Sequence, residues 1–329
     1  MAAVTRESPG TADTAPPVPR RAPLMTRLRR IGLPYLLCVP AIVLELLVHV
    51  VPMLAGVVMS FYHLTRLYLR NWQNAPFAGL SNYKVSLQLD NAVGQSLLAS
   101  FARSIAFTVL SVGFAWLLGF GASVVLQGKV RGRGFWRTLF LFPYALPLYA
   151  SVFTWTFMFQ RDNGLINQLL VHDLHLFTPD KAPFWLLGGN SFYALVITEI
   201  WQKWPFAFLM LMAGMQNIPG DLFEAASIDG AGVGMQIRKI VMPMLRPVNV
   251  VVILVLFLWT FNDFNTPYLL FGFGSVPDQA DLLSIHIYSS TFQNQNFGLG
   301  SAQSVLLLLF LLVVTAVYLM VTRRRRDAV

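Results

Sequence analysis

Long apolar stretches alternate with short polar segments along the whole chain. Runs near the roughly 20 residues that an apolar helix needs to cross a bilayer occupy residues 31–60, 104–126, 138–159, 192–215, 248–272 and 302–321. This pattern predicts an all-α, polytopic membrane protein with six transmembrane helices and both termini on one side. Composition agrees with it. With 56% hydrophobic and 12% charged residues, the 329-residue chain is too apolar for a soluble domain of its length.

The basic residues choose the side. With the N-terminus in the cytoplasm, the inner segments hold Arg6, Arg20, Arg21, Arg27, Arg29, Arg30, Lys129, Arg131, Arg133, Arg137, Arg238, Lys239, Arg246 and the four arginines at 323–326. The outer segments keep Arg66, Arg70, Lys84, Arg103, Arg161 and Lys181, so seventeen inner charges stand against six outer ones. The positive-inside rule favours N-in, C-in. The net charge of +9 is therefore a topology signal, and it gives no support to nucleic-acid binding. Residues 1–30 read as a disordered cytoplasmic tail, 31–322 as the transmembrane domain and 323–329 as a basic cytoplasmic tail. The N-terminal segment is too long and polar for a cleaved signal. The lone Cys38 excludes an internal disulfide framework and reads as a buried, inert thiol.

Residues 216–247 form a polar helical interruption between the fourth and fifth spans. Pro219-Gly220-Asp221 ends the fourth span, and Asp221 followed by Glu224 fits a capping box that starts a short helix. Leu222, Phe223 and Ala226 then form an apolar face suited to a partner's groove. The small Ala225 and Ala226 allow close approach. Asp229-Gly230 offers a chain reversal with a positive φ at glycine, and Ile240 to Pro243 lead into the fifth span.

Polar groups inside spans cost about 2.5 to 3.5 kcal/mol each on insertion scales, which marks them as pathway candidates. In the fourth span Glu199, Lys203 and Phe206 share a helical face, with Trp201, Gln202 and Trp204 alongside. In the fifth, Trp259, Asn262, Asp263 and Thr266 align, with Asn265 and Tyr268 adjacent. Aromatic faces, carboxylates and amides suit a sugar, whose hydroxyls both donate and accept hydrogen bonds. The competing structural reading is that Glu199 and Lys203 form a self-neutralising i, i+4 pair and that Trp201 and Trp204 only pack. Glu45 in the first span could face a partner subunit, and Pro34, Pro40 and Pro52 read as kinks. Catalytic residues and metal ligands are not evident, so an enzyme is the least supported class.

The sequence EAASIDGAGVGMQIRKIVMP at 224–243 resembles the EAA loop of ABC importer permeases: Glu224, Ala225, Ala226, Gly230, Ile240 and Pro243 fall at the family spacing, and only Met242 departs, standing where the family has Leu. FAGLSNY at 77–83, GRGFWRTLFLFP at 132–143, DNGLINQLL at 162–170 and FGLGSAQSVLLLL at 297–309 are similar to the MalF/UgpA-like carbohydrate permeases. The resemblance implies a type I importer (MetI-like) permease fold and an ATPase-coupling role for Leu222, Phe223, Glu224, Ala225, Ala226, Asp229, Gly230, Ile240 and Pro243. It also implies substrate contacts from the helices flanking the loop and from the helix over 144–157; the candidates on them are Glu199, Gln202, Lys203, Trp204, Phe206, Trp259, Asn262, Asp263 and Asn265, with Tyr149 and Thr154 added from the last. The implied partners are a MalG-like second permease in a heterodimer, two copies of an ABC ATPase, an extracytoplasmic sugar-binding protein, a sugar and membrane lipid. The outer segments 62–101, 160–191 and 273–300 would receive the binding protein. The chain has no G-x-x-x-x-G-K-[ST] phosphate loop. It is thus expected to hold no cofactor, with ATP and Mg bound by the partner ATPase in the cytoplasmic membrane of a bacterium. The alternative is an ion-coupled secondary transporter using Glu199, Lys203 and Asp263, in which the EAA spacing has no role.

Overall fold

The computed structural model describes residues 24–128, 130–273 and 275–324, with side chains given over 35–322. Arg6, Arg20, Arg21, Lys129 and the C-terminal residues 325–329 lie outside the described residues, as does most of the expected N-terminal tail. The chain divides into two compact units, Met1–Ala55 and Gly56–Val329.

The first unit is helical from α1 (Leu24–Glu45) through a π turn (Leu46–Val50) into α2 (Val51–Met59), whose residues up to Ala55 belong to it. The segment expected as tail is therefore helical from Leu24 onward. The π turn sits where the Pro52 ring would clash with the Val48 carbonyl four residues earlier, so the hydrogen-bond ladder widens instead of breaking. Cys38 is exposed on this helix, not buried as expected. The helix is apolar nearly all round, and lipid is the natural surrounding for such a surface. Glu45 pairs with His49 at 3.3 Å along the same helix.

The second unit is built on α4 (Ala92–Gln127), after the short α3 (Ser81–Leu87). Along α4 the small residues Ser100, Ser104, Thr108, Ser111, Ala115, Gly119 and Ser123 recur every three or four positions, and all are buried. They let α8 (Asn190–Met215) approach closely, the packing expected where lipid supplies no hydrophobic drive between helices. A Cβ on Gly119 would lie 2.6 Å from the Phe208 backbone nitrogen.

Between α4 and α8 the expected third span is two helices, α5 (Arg133–Ala145) and α6 (Leu148–Met158), bent by 90°. The cause is Pro147: the preceding residue, Leu146, adopts an extended ψ of 142° because the proline ring disfavours the helical region there. The three-residue α7 (Leu165–Asn167) follows.

Beyond α8 come α9 (Gly220–Ile228), α10 (Val233–Gln236), a π turn (Ile237–Val241), α11 (Met242–Met244) and α12 (Arg246–Phe261). This π turn again contains the residue four before a proline, Lys239 before Pro243. The expected fifth span stops at Phe261 and resumes as α13 (Asn265–Leu270), so the stretch 248–272 is broken, not continuous. After α14 (Leu283–Tyr288), α15 (Phe297–Arg324) is the last span. It carries helix through residues 323 and 324 of the expected basic tail.

Three of the four family-like phrases outside the loop are staples that hold this framework. Asn82 of GLSNY donates to the carbonyls of Ser60 and Tyr62 at 2.9 and 3.0 Å. Gly298 of FGLGSAQ meets the same strap: its N–H donates to the Leu64 carbonyl, and a Cβ there would collide with the Tyr62 carbonyl. Asn167 of DNGLINQLL donates to the Arg161 and Pro183 carbonyls and accepts from the Trp185 indole at 2.8 Å.

Candidate functional site: a surface helix joined to a buried polar cluster

Two regions hold the expected site residues. The first is α9. Pro219 occupies its N-cap and no side chain caps the helix, so the expected Asp221–Glu224 capping box does not form. Asp221 sits in the first turn instead, where the positive end of the helix dipole favours a carboxylate. The other end closes as a Schellman motif: Ala231 N–H donates to the Ala226 carbonyl at 2.8 Å and Gly230 N–H to the Ser227 carbonyl at 3.1 Å. Gly230 has φ +77°, the left-handed value this motif requires.

Side-chain directions on α9 correct the expectation. Phe223 is half-buried and packs, with Ile240, against a core formed by Leu211, Met215, Ile218, Val241 and Leu245. These two residues face their own subunit. The outward surface is Leu222, Glu224, Ala225, Ile228 and Asp229, with Ile228 86% exposed. Val233 and Met235 extend this apolar surface beyond the turn, and Pro243 is also exposed. Exposed apolar side chains rimmed by acidic ones mark a binding surface.

The second region is polar and internal. Glu199 on α8 is fully buried and accepts from Thr260 Oγ1 at 3.0 Å and Thr266 Oγ1 at 3.4 Å, while Lys203 Nζ stands 3.5 Å away. Asp263 lies in the break between α12 and α13, within electrostatic reach of both Glu199 and Lys203. Its Oδ1 accepts from the N–H groups of Asn265 and Thr266, which starts α13. Its Oδ2 is buried with no hydrogen-bond partner. The amide Nε2 of Gln202 is orphaned in the same way. Pro205 inside α8 removes the N–H that the Trp201 carbonyl would otherwise accept.

The structure thus brings Glu199, Lys203 and Asp263 together. Asn262 and Asn265 are exposed beside them at the break. Phe206 meets Trp259 with ring centroids 4.9 Å apart, and Trp259 remains 47% exposed. Trp204 is a correction: it turns away to pack edge-on against Phe140 at 5.4 Å, in a cluster with Leu126 and Phe208, because α5 covers that side of α8. Tyr149 is exposed on α6, and the Thr154 hydroxyl is spent on the Ala150 carbonyl of its own helix. Among the described residues no hydrogen bond, ion pair or ring contact joins either one to the cluster. Thr260 was not expected. It carries the shorter bond to Glu199. A hydroxyl within an apolar run was the available signal for Thr260.

A helical framework that surrounds a buried charge cluster and presents a surface helix between two of its spans defines a membrane transport subunit. A family profile described as binding-protein-dependent transport system inner membrane component matches residues 111–327, and the chain belongs to that family. The trehalose/maltose transport system permease protein MalF of Thermococcus litoralis is 31% identical over 305 residues, covering 92% of this chain and 97% of that one. The sn-glycerol-3-phosphate transport system permease protein UgpA of Agrobacterium fabrum is 32% identical over 277 residues, 84% of this chain and 89% of that one. In fold, the chain matches a chain of a bacterial ABC transporter involved in import of the acidic polysaccharide alginate. The TM-score is 0.74 at 17% identity, with 92% of this chain and 98% of that one covered. Membership in this family leaves the ion-coupled alternative without support.

Proposed function

We infer that this subunit passes a saccharide through the cytoplasmic membrane of a bacterium by alternating access, driven by ATP and Mg bound on a partner ATPase. The N- and C-termini and the loop 216–247 lie in the cytoplasm, as the seventeen-to-six charge asymmetry supports. A second, MalG-like permease completes the channel, two ABC ATPase copies receive α9, and an extracytoplasmic binding protein delivers the sugar. Relatives named for trehalose and maltose support the cargo class.

One observation carries the mechanism: through Phe223 the surface helix packs on an apolar core shared by the two helices that bear the polar cluster. Phe223 and Ile240 are partly buried against a core to which α8 gives Leu211 and Met215 and α12 gives Val252 and Leu256. Gly214 brings these helices so close that a Cβ would lie 2.8 Å from Leu245 and 2.9 Å from Val248. When the ATPase dimer closes on Leu222, Glu224, Ala225 and Ile228, the pull therefore passes to both helices that carry the cluster. Interiors packed this tightly move as rigid pieces.

At the cluster, Asp263 Oδ2 and Gln202 Nε2 are buried without partners, so a sugar that met them as the helices part would give the one a donor and the other an acceptor. Trp259 offers its exposed face to the C–H side of the ring. Lys203 holds Glu199 in place, so the pairing and the binding are compatible. Reconstitution of the permease pair with its ATPase and binding protein in proteoliposomes tests this reading. ATP-dependent saccharide uptake that needs both partners is expected; uptake driven by a proton gradient without the ATPase would overturn it.

A further inference from the structure

The phrase GRGFWRTLFLFP at 132–143 opens α5, and its two arginines stand on the covered side of that helix. Residues 133, 137, 140 and 141 share one helical face by their spacing. Phe140 and Leu141 on that face pack in the cluster with Leu126, Phe208 and Trp204. Arg133 and Arg137 are accordingly half-buried, and the Nε of each is buried with no hydrogen-bond partner among the described residues. No ion pair among the described residues reaches either guanidinium. On the inferred cytoplasmic side the described carboxylates are Asp221, Glu224 and Asp229, and all three belong to α9 and its C-cap.

Two inward arginines without a carboxylate form a pair of positive charges that calls for a counter-ion from outside the chain. The opposite face of α5 shows where that ion lies. Phe135 is 67% exposed and Trp136 41%, and Leu139 and Phe142 are exposed beyond them. An exposed tryptophan at the end of an apolar helix marks the headgroup level of a bilayer. Trp136 falls between the two arginines, which stand about 6 Å apart along the axis. The anion at that depth is a lipid phosphate. We propose that Arg133 and Arg137 hold the headgroup phosphate of an anionic phospholipid of the inner leaflet, beside the end of α4. Guanidinium forks pair with phosphate oxygens in a bidentate manner. Gly132 leaves the N-terminus of α5 without a side-chain cap, so its first N–H groups favour the same anion. The bound lipid steadies α5 against α8, the helix that carries Glu199 and Lys203.

The test measures lipid binding by the purified permease–ATPase complex, using native mass spectrometry with phosphatidylglycerol or phosphatidylcholine added. The wild type should prefer phosphatidylglycerol. Arg133→Gln with Arg137→Gln should weaken that binding about thirtyfold, the order of two basic side chains beside an anionic surface. Arg238→Gln with Lys239→Gln removes the same charge from exposed loop positions and should change it less than about twofold. Arg133→Lys with Arg137→Lys keeps the charge without the paired fork and should weaken binding about three- to fivefold. This variant carries the test if the glutamine form does not assemble. Equal losses in the α5 and loop variants would reduce the effect to general charge and overturn the site. Displacement of phosphatidylglycerol by inorganic phosphate would overturn it in favour of a soluble phosphate. Unchanged lipid binding with the ATPase lost from the α5 variants would assign the arginines to the partner chain instead. None of these readouts involves a transported sugar, so the outcome is independent of the cargo.

Discussion

The surface helix α9 and the polar cluster are made of similar residue types but oppositely constructed. On α9 the carboxylates Glu224 and Asp229 are exposed, the turn is closed by its own backbone, and the apolar side chains Leu222 and Ile228 face outward. In the cluster, Glu199 is fully buried and takes its hydrogen bonds from residues 61 and 67 positions away. The difference separates a surface made by local sequence from a site made by tertiary packing. The α9 surface forms within one short segment, whereas the cluster exists only once α8, α12 and α13 have packed.

The largest effect should come from breaking the cluster. Glu199→Ala takes the nearer countercharge from Lys203, with Asp263 its remaining carboxylate, and leaves two threonine hydroxyls unpaired. A destabilisation of about 3 to 5 kcal/mol is expected, the size seen when one member of a buried pair is removed. Thermal unfolding of the detergent-solubilised complex reads it, and Glu199→Gln, which keeps hydrogen-bonding capacity, should lose less.

Next comes the framework that makes the cluster possible. Gly119→Leu forces side-chain atoms against the Phe208 and Ala207 backbone and should cost about 1 to 3 kcal/mol by overpacking. Gly113→Leu on the same helix, where a Cβ meets nothing within 4 Å, serves as the control and should be tolerated.

On α9 the stability effects shrink while the functional ones persist. Gly230→Val places a β-branched residue at φ +77°, at a cost of about 1 to 2 kcal/mol, seen as a lower melting temperature. Glu224→Lys should change stability by no more than about 0.5 kcal/mol, as for most surface substitutions. It should nevertheless abolish co-purification of the ATPase. Normal association in that variant would remove the proposed docking surface and with it the contrast between the two regions.

The same contrast explains what the sequence disclosed. The positive φ at Gly230 and the separate helix at 220–228 follow from local spacing and were legible. The inward turn of Phe223 and Ile240 was not, because amphipathic spacing identifies an apolar face without naming the surface that covers it. Hydropathy located the spans but smoothed over breaks at Pro147 and at Asn262-Asp263, where the chain leaves the helix without becoming polar over any length. The Glu199–Lys203 pair could be read from an i, i+4 interval. Thr260 could not, since its partner lies on another helix, and Trp204 was misplaced because its neighbour Phe140 belongs to a segment that only the fold brings near.

The central claim, that α9 drives and the cluster binds, is tested most directly by the saccharide taken up per ATP hydrolysed in proteoliposomes carrying Asp263→Ala. The account predicts that the complex still assembles with its ATPase and hydrolyses ATP, while uptake per ATP falls at least tenfold, about 1.4 kcal/mol of lost interaction. An unchanged ratio would contradict it, for the orphaned carboxylate at the helix break would then have no part in holding the sugar.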